Sequence, residues 1–275
     1  MNKKQINIQV SSNTFMVDRM VFAEYYPEMK GDILRVYLLM CRVVGFKNTT
    51  FFMGRDEIKK EVNLTTHYVN HAIDFLEKNY FIKKVGQVGR ANKYIVLNVP
   101  LYDSFTKTYI LRESIPRTRY YLKDSLNGYA ELPVEIFKGS ILRDRILWTD
   151  RKIKTLMMLY SYHFVDVFGG VDPSAIHCIA NSFFVSDFVV HQIGCHKNNL
   201  KKTIQILIRN GYAIKVPAVY RVNAYSCLSE KQYVGDLTEV TQHPGDDVVT
   251  VIRMTHIPDI KFNNALKRTQ GAIKL

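Results

Sequence analysis

Two stretches of the sequence place amide, hydroxyl and cationic side chains opposite an apolar stripe. The stripes are Val69, Ala72, Ile73 and Leu76 within 66–79, and Leu200, Thr203, Ile204 and Leu207 within 197–210. This spacing predicts two amphipathic helices that bury the stripes. The side chains predicted to face outward are Thr66, His67, Asn70, His71 and Asp74 in the first helix, and Lys197, Asn198, Lys201, Lys202, Gln205 and Arg209 in the second. Lys and Arg pair with guanine, and Asn and Gln pair with adenine, so these sets suit the edges of bases.

A basic segment follows each of these helices. Residues 78–93 contain five Lys or Arg and 193–221 contain six, and neither range contains an acidic residue. The cations expected to contact phosphate are Lys83, Lys84, Arg90 and Lys93 in the first range, and Lys215 and Arg221 in the second. A solvated surface is the alternative for one basic helix alone, and repetition of the pattern favours a binding surface. Asp74 would repel phosphate, whereas Gln205 stands at the equivalent place, so we expect the second helix to bind more strongly.

The chain contains an internal repeat. Residues 51–85 and 183–216 align at an offset of 131 after one gap, and the upstream apolar helices 33–46 and 153–164 correspond as well. The predicted elements that follow are a Phe-Phe link, a short helix, a turn, a longer helix and a hairpin. The short helices are expected at 55–62 and 187–193, and the hairpin of the second copy at 212–216 and 220–224 with its turn at Pro217-Ala218.

Helix, helix, turn, helix, hairpin is the order of a winged helix-turn-helix. The pattern over residues 15–225 resembles the tandem winged-helix replication initiators of plasmids and phages, and also helicase loaders and regulators of Gram-positive mobile elements. The resemblance lies in the order and repetition of elements, and no family motif matches residue by residue. It implies that the third helix of each copy reads DNA and that the hairpin is a wing on the backbone.

We therefore expect a mainly α protein with small β-wings, an α+β fold of two tandem winged helix-turn-helix domains with a C-terminal extension. The expected divisions are residues 1–105, a basic linker at 106–124, a second domain at 125–225 and an extension at 226–275. The basic stretch 112–123 is either an arm along a DNA groove or a linker whose tyrosines pack on a neighbouring domain. The extension contains a predicted strand at 248–254 that packs on the second domain or mediates self-association, and a short basic helix is expected at 261–275.

The charge distribution predicts a polyanionic partner. The net charge is +13, and Lys plus Arg against Asp plus Glu number 16 to 10 in residues 1–110, 16 to 9 in 111–225 and 6 to 6 in 226–275. Apolar stretches 33–46 and 156–168 are shorter than the roughly 20 residues that a membrane span needs, and no signal peptide is predicted. Four cysteines without a CxxC pair indicate free thiols in a reducing cytosol, so we expect a cytoplasmic protein.

Motifs for enzymatic chemistry are missing from the sequence. It has no GxxxxGK[ST], GxSxG or HExxH motif, and no His-x-His pair with a downstream tyrosine, so we expect neither catalysis nor a cofactor. Zinc could use His177, Cys178, His191, Cys195 and His196. Cys195 aligns with the apolar turn residue Leu64, which favours a buried thiol and no metal.

These observations predict a sequence-specific double-stranded DNA-binding protein that recognises origin repeats in plasmid or phage replication. A transcriptional regulator, such as a repressor of a mobile element, and a helicase loader or assembly protein that uses winged helices for protein contacts share the same features. A homodimer through the N-terminal or C-terminal domain and contacts with replication machinery remain open as further partners.

Overall fold

The computed structural model describes residues 14–22, 29, 31–45, 50–112, 128–135, 137, 140–222 and 231–256. Of the basic stretch predicted as an arm or linker at 112–123 the structure describes only Arg112, and the predicted helix at 261–275 lies outside these ranges. The described fold is mixed α+β with small sheets, and helix and strand take similar shares. The strand content is therefore larger than the expected mainly α composition. The chain divides into two compact units, Met1–Met157 and Met158–Leu275.

The described residues form eight α-helices and fourteen strands. The helices are α1 (Gly31–Val44), α2 (Arg55–Val62), α3 (Thr66–Lys78), α4 (Ser140–Arg143), α5 (Asp150–Ser161), α6 (Val165–Phe168), α7 (Asp187–Ile193) and α8 (Lys197–Arg209). The strands are β1 (Thr14–Asp18), β2 (Phe51–Gly54), β3 (Ile82–Val88), β4 (Ala91–Val96), β5 (Leu101–Asp103), β6 (Thr108–Ile110), β7 (Tyr129–Pro133), β8 (His163–Phe164), β9 (Gly170–Val171), β10 (Ile176–Ile179), β11 (Ser182–Val185), β12 (Ala213–Val222), β13 (Lys231–Asp236) and β14 (Asp247–Met254).

The core of the first unit lies between α1 and an antiparallel sheet of order β2-β4-β3. Every second residue of β4 is buried, which is the pattern of a strand with one face on a core. Helices α2 and α3 complete this core by packing on α1 and on each other. The third helix α3 thus lies on the core with the β3–β4 hairpin directly after it.

Two further pairings extend the first unit. Strand β1 pairs antiparallel with β7, and the buried Asp18 at its end accepts the backbone N–H of Val99 at 3.1 Å. The short hairpin β5–β6 places the half-buried rings of Tyr102 and Tyr109 against each other, and Tyr109 also contacts Phe75. Pairing of β1 with β7 groups residues beyond 125 with the first unit, whereas the expected boundary between the modules lay at 106–124.

The second unit is built around β12, the central strand of a sheet of order β13-β12-β14. The predicted turn at Pro217-Ala218 is wrong, because β12 runs straight through both residues and pairs with β14 over its first eight positions. The Pro217 carbonyl accepts from Leu237 N at 2.9 Å, and N and O of one strand residue point to the same side. The nitrogen of Pro217, which has no hydrogen to donate, therefore points toward the end of β13. The pairing of β12 with β13 ends there, so no inter-strand hydrogen bond is lost.

Strand β14 confirms the strand predicted at 248–254 and its packing on the second module. It also means that β13 and β14, both beyond residue 225, belong to the same sheet as β12. The hairpin β10–β11 lies beside β14, and α8 packs on β11 and β12. Helix α5 runs across the division at Met157–Met158.

A buried arginine joins the start of α1 to the start of α5 within the first unit. The guanidinium of Arg35 is 1% exposed, and its Nη1 donates to the Asp150 carboxylate at 3.0 Å and to the Gly31 carbonyl at 3.2 Å. Its Nη2 donates to the Trp148 carbonyl. Asp150 also accepts the Gly31 N–H at 2.8 Å. The Arg35–Asp150 ion pair therefore links the start of α1 to the start of α5. Paired with Asp150 through Nη1, although its buried Nε has no hydrogen-bond partner among the described residues, the charge of Arg35 favours one arrangement of the two helices.

We predict that Arg35→Met destabilises the first unit by roughly 2–4 kcal/mol, because Asp150 and two carbonyls lose their partner while the methionine fills the space. Urea unfolding followed by the fluorescence of Trp148, the one tryptophan of the chain, measures this unit. The exposed neighbour Arg151→Met is the matched control and should change stability by less than about 0.5 kcal/mol. Equal effects of both variants would contradict the role of the buried ion pair.

Candidate nucleic-acid interface

Helix α3 presents the outward face that its sequence predicts, with one exception. Val69, Ala72, Ile73 and Leu76 are buried, which confirms the predicted stripe. Thr66, His67, His71 and Asp74 are exposed. Asn70 is half-buried, and its Oδ1 is buried without a hydrogen-bond partner among the described residues. The Asn70 carboxamide therefore turns partly into the protein, because its position flanks the stripe.

A cation from a distant part of the chain stands beside α3. The guanidinium of Arg145 lies 5.6 Å from the ring centre of Tyr68, which is 46% exposed, and forms an ion pair with Asp32 at 2.9 Å. Sequence reasoning missed both Tyr68 and Arg145. Tyr68 lies beside the stripe rather than opposite it, and Arg145 reaches α3 only through the tertiary fold.

The β3–β4 hairpin ends in a tight turn beyond α3. Gly89 in this turn has a φ of 55°, a conformation that favours glycine, and its carbonyl accepts from Gln87 Nε2 at 2.9 Å. Lys83, Lys84 and Arg90 are exposed, as the sequence predicts. Lys93 is half-buried, with its Nζ 5.5 Å from the ring centre of Phe52.

The turns before α3 and α8 have the same geometry. The residue that caps the C-terminus of α2 is Asn63, with φ 51°, and the equivalent residue after α7 is Gly194, with φ 65°. The chain therefore leaves both helices through a residue in the left-handed conformation. Each third helix begins three residues later, at Thr66 and Lys197. Ser186 caps α7 by accepting Val189 N at 3.3 Å, whereas Gly54 before α2 provides no side-chain cap.

Helix α8 buries Leu200, Thr203, Ile204 and Leu207, which confirms its predicted stripe. Asn198, Lys202 and Arg209 are exposed, and Lys201 and Gln205 are half-buried beside the stripe. Lys197 Nζ lies 3.1 Å from Asp187 and 5.7 Å from the ring centre of Phe184, so its charge is partly balanced. No carboxylate occurs within α8.

The sheet of the second unit neutralises its own cations. Arg221 donates two hydrogen bonds of 2.7 Å to Asp246, whose pKa these bonds hold well below its usual range. Lys231 pairs with Asp247. Arg253 binds Asp236 at 2.6 Å and lowers the pKa of that carboxyl. Arg221, expected to contact phosphate, is thus engaged within the protein, while Lys215 is exposed with its Nζ 5.2 Å from the ring centre of Phe183.

The five candidate zinc ligands do not come together. Across the described ranges, no group of three or more His, Cys, Asp or Glu side chains is placed to hold a metal ion. His177 stacks on Phe184 with 4.8 Å between ring centres, and its Nδ1 lies 2.6 Å from the Pro173 carbonyl oxygen. Cys178 is a free thiol, and burial raises its pKa. Cys195 is half-buried, whereas its counterpart Leu64 is buried.

The described helices include none that is both long and apolar enough to cross a bilayer. Comparison of the chain with protein-family models, with curated proteins and with solved structures finds no match. The geometry and charge of α3, α8 and the strands that follow them are therefore the observations from which a function can be inferred.

Proposed function

We propose that this protein binds double-stranded DNA sequence-specifically through two winged-helix modules. The order of elements supports this: α1, β2, α2, α3, β3 and β4 in the first unit, and α5, β11, α7, α8, β12 and β14 around the second. In the sheet β2-β4-β3 the returning strand lies centrally, so the β3–β4 turn projects as a wing. This arrangement leaves the third helix as the exposed reader of the major groove.

The exposed face of α8 carries the proposal. Lys201, Lys202 and Arg209 form no ion pair with any residue that the structure describes, and the helix itself has no acidic residue. Their charges are therefore available to replace counterions on phosphate. Gln205 lies along the same helix and supplies the amide that pairs with adenine.

The two modules differ in strength. The exposed face of α3 contains Asp74 and Glu77 along with Lys78, so its net charge gives little attraction to phosphate. The exposed Lys83, Lys84 and Arg90 on the hairpin after α3 provide that attraction in the first module. We therefore assign the main helix contact to the second module and the main wing contact to the first.

Recognition of origin repeats in plasmid or phage replication is the role that we propose for this DNA binding. The repetition of one reading module within a single chain supports it, as in the tandem initiators that the sequence resembles. Footprinting of the full chain on its own genetic neighbourhood tests the role. Repeated sites in an intergenic origin would support it, and a single site over a promoter would replace it with transcriptional regulation.

We predict that Lys201→Ala combined with Lys202→Ala weakens duplex binding by about 10-fold or more, because two phosphate-facing charges are lost. The slope of log affinity against log salt should fall by about one to two units. Fluorescence anisotropy of a labelled duplex at several salt concentrations measures both quantities.

The charge-matched control is Arg151→Ala combined with Lys152→Ala at the start of α5, which also removes two cations. This control should leave the salt slope within error of the parent. If the control and the α8 variant weaken binding equally, the effect is one of total charge, and α8 is not the contact surface.

We predict that Gln205→Ala weakens binding to the specific site by roughly 5- to 100-fold and leaves random-duplex binding nearly unchanged, because an amide contact to a base carries sequence information. Arg90→Ala on the wing should lower both affinities in the same ratio, since phosphate contacts carry none. Competition titrations of specific against random duplex measure the ratio. Equal losses on both duplexes for Gln205→Ala would rule out base reading by α8.

A further inference from the structure

The outer face of the sheet β2-β4-β3 displays an aromatic ring and lysines side by side. Alternation along the strands turns Phe51, Tyr94 and Ile82 to the core. The opposite set faces out and consists of Phe52 on β2, Lys93 and Ile95 on β4, and Lys83 and Val88 on β3. Phe52 is 48% exposed although it sits in the ladder opposite Lys93.

Phe52 contributes little to the core of the sheet. Its neighbour Phe51 is buried and packs on Tyr94 with 5.9 Å between ring centres, so the inner face already has its aromatic pair. Gly86, which pairs with Lys93 on the other side, has no side chain that could cover the outer face. The ring of Phe52 therefore presents a flat apolar surface next to a cation.

The electrostatics of this face select a polyanion. The strands β2, β3 and β4 contain no Asp or Glu, and this face has the cations Lys83 and Lys93, with Arg90 in the turn that connects β3 and β4. A second copy of the same face would be repelled by these charges. An apolar protein partner would leave the ammonium groups without counter-charges.

We propose that the outer face of the sheet β2-β4-β3 is a site for single-stranded nucleic acid, distinct from the helix faces that bind duplex. One unpaired base stacks on Phe52, and Lys93 and Lys83 contact the phosphates on either side of it. Only a single strand can do this, because a duplex keeps the flat faces of its bases stacked inside the helix. Strands lie about 4.8 Å apart and each residue advances about 3.4 Å along a strand. Lys83 is two strands away from Phe52 and two residues along the ladder, so the two backbone positions are about 12 Å apart, a distance that the long lysine side chain shortens toward a nucleotide stacked on Phe52.

Comparison with the second module explains why we place the single-strand site on the first module only. Its equivalent ring, Phe184, is half-buried, stacks on His177 and lies under the ammonium of Lys197. A cation lies near both rings, since Lys93 Nζ is 5.5 Å from the ring centre of Phe52. The difference is His177, which occupies a stacking position on Phe184, whereas Phe52 has no ring stacked on it among the described residues.

Tryptophan fluorescence of the full chain gives a direct test. Trp148, the one native tryptophan, is 2% exposed and provides a buried background. In Phe52→Trp, addition of an oligothymidine of about 12 nucleotides should quench the emission of the new indole by stacking. Phe105→Trp is the matched control, because Phe105 is 94% exposed at the tip of β5–β6, and its emission should not change. Absence of quenching in Phe52→Trp, or equal quenching in both variants, overturns the proposal.

Affinity measurements separate this site from duplex binding. Phe52→Leu keeps an apolar side chain but loses the aromatic face, and it should weaken oligothymidine binding by about 5-fold or more, while Phe52→Tyr binds as the parent does. Duplex binding should be unchanged in both variants. Lys201→Ala combined with Lys202→Ala should show the reverse, with duplex binding lost and oligothymidine binding retained. If Phe52→Leu binds oligothymidine like the parent, the proposal fails. If the parent binds oligothymidine through Phe52 but no duplex at all, the proposed function fails and this site remains.

Discussion

Burial of one four-residue stripe on each third helix is the constraint on which the arrangement of the binding surface depends. With 3.6 residues per turn, placing Val69, Ala72, Ile73 and Leu76 in the core determines which side chains of α3 can reach solvent. The same stripe recurs on α8, and each helix follows a turn through a left-handed residue, Asn63 or Gly194. Burial of the stripe therefore orients the polar face of α3 and the polar face of α8 in the same way. What differs between the modules is the chemistry placed on those faces.

Compensation of charge, rather than its total, separates the two units. Three of the four arginine and lysine side chains of the sheet β13-β12-β14, Arg221, Lys231 and Arg253, each pair with an aspartate, and Lys215 is the exception. The strands of the sheet β2-β4-β3 contain no Asp or Glu, so the lysines of this sheet have no carboxylate partner within it. Helix α8 differs from the sheet beside it, because the helix contains no acidic residue that could pair with its lysines and arginine. Cations without an acidic partner among the described residues are therefore found on α8 in the second unit and on the sheet β2-β4-β3 in the first, which are the surfaces that we propose for nucleic acid.

Local periodicity allowed most helices to be predicted, and long-range pairing limited the rest. Both stripes and the bounds of α2 and α7 follow from residues within two turns of each other. The path of β12 through Pro217 could not be predicted, since its tolerance depends on where β13 ends. The Arg221–Asp246 pair and the approach of Arg145 to Tyr68 likewise require the folded chain. Counting basic residues in the sequence therefore could not show that Arg221 pairs with Asp246 or that Arg145 lies beside α3.

The two surfaces that we propose for nucleic acid would impose different requirements on the same small fold. A reading helix needs its side chains to project from a rigid, buried stripe into a groove. A stacking surface needs an aromatic ring that the core does not use, and Phe52 meets this condition because Phe51 already fills the inner position. A duplex on the helix faces and a single strand on the sheet would therefore not compete for the same side chains, except near Lys83 and Lys93. Those two lysines are the shared positions at which occupancy of one surface would reduce the charge available to the other.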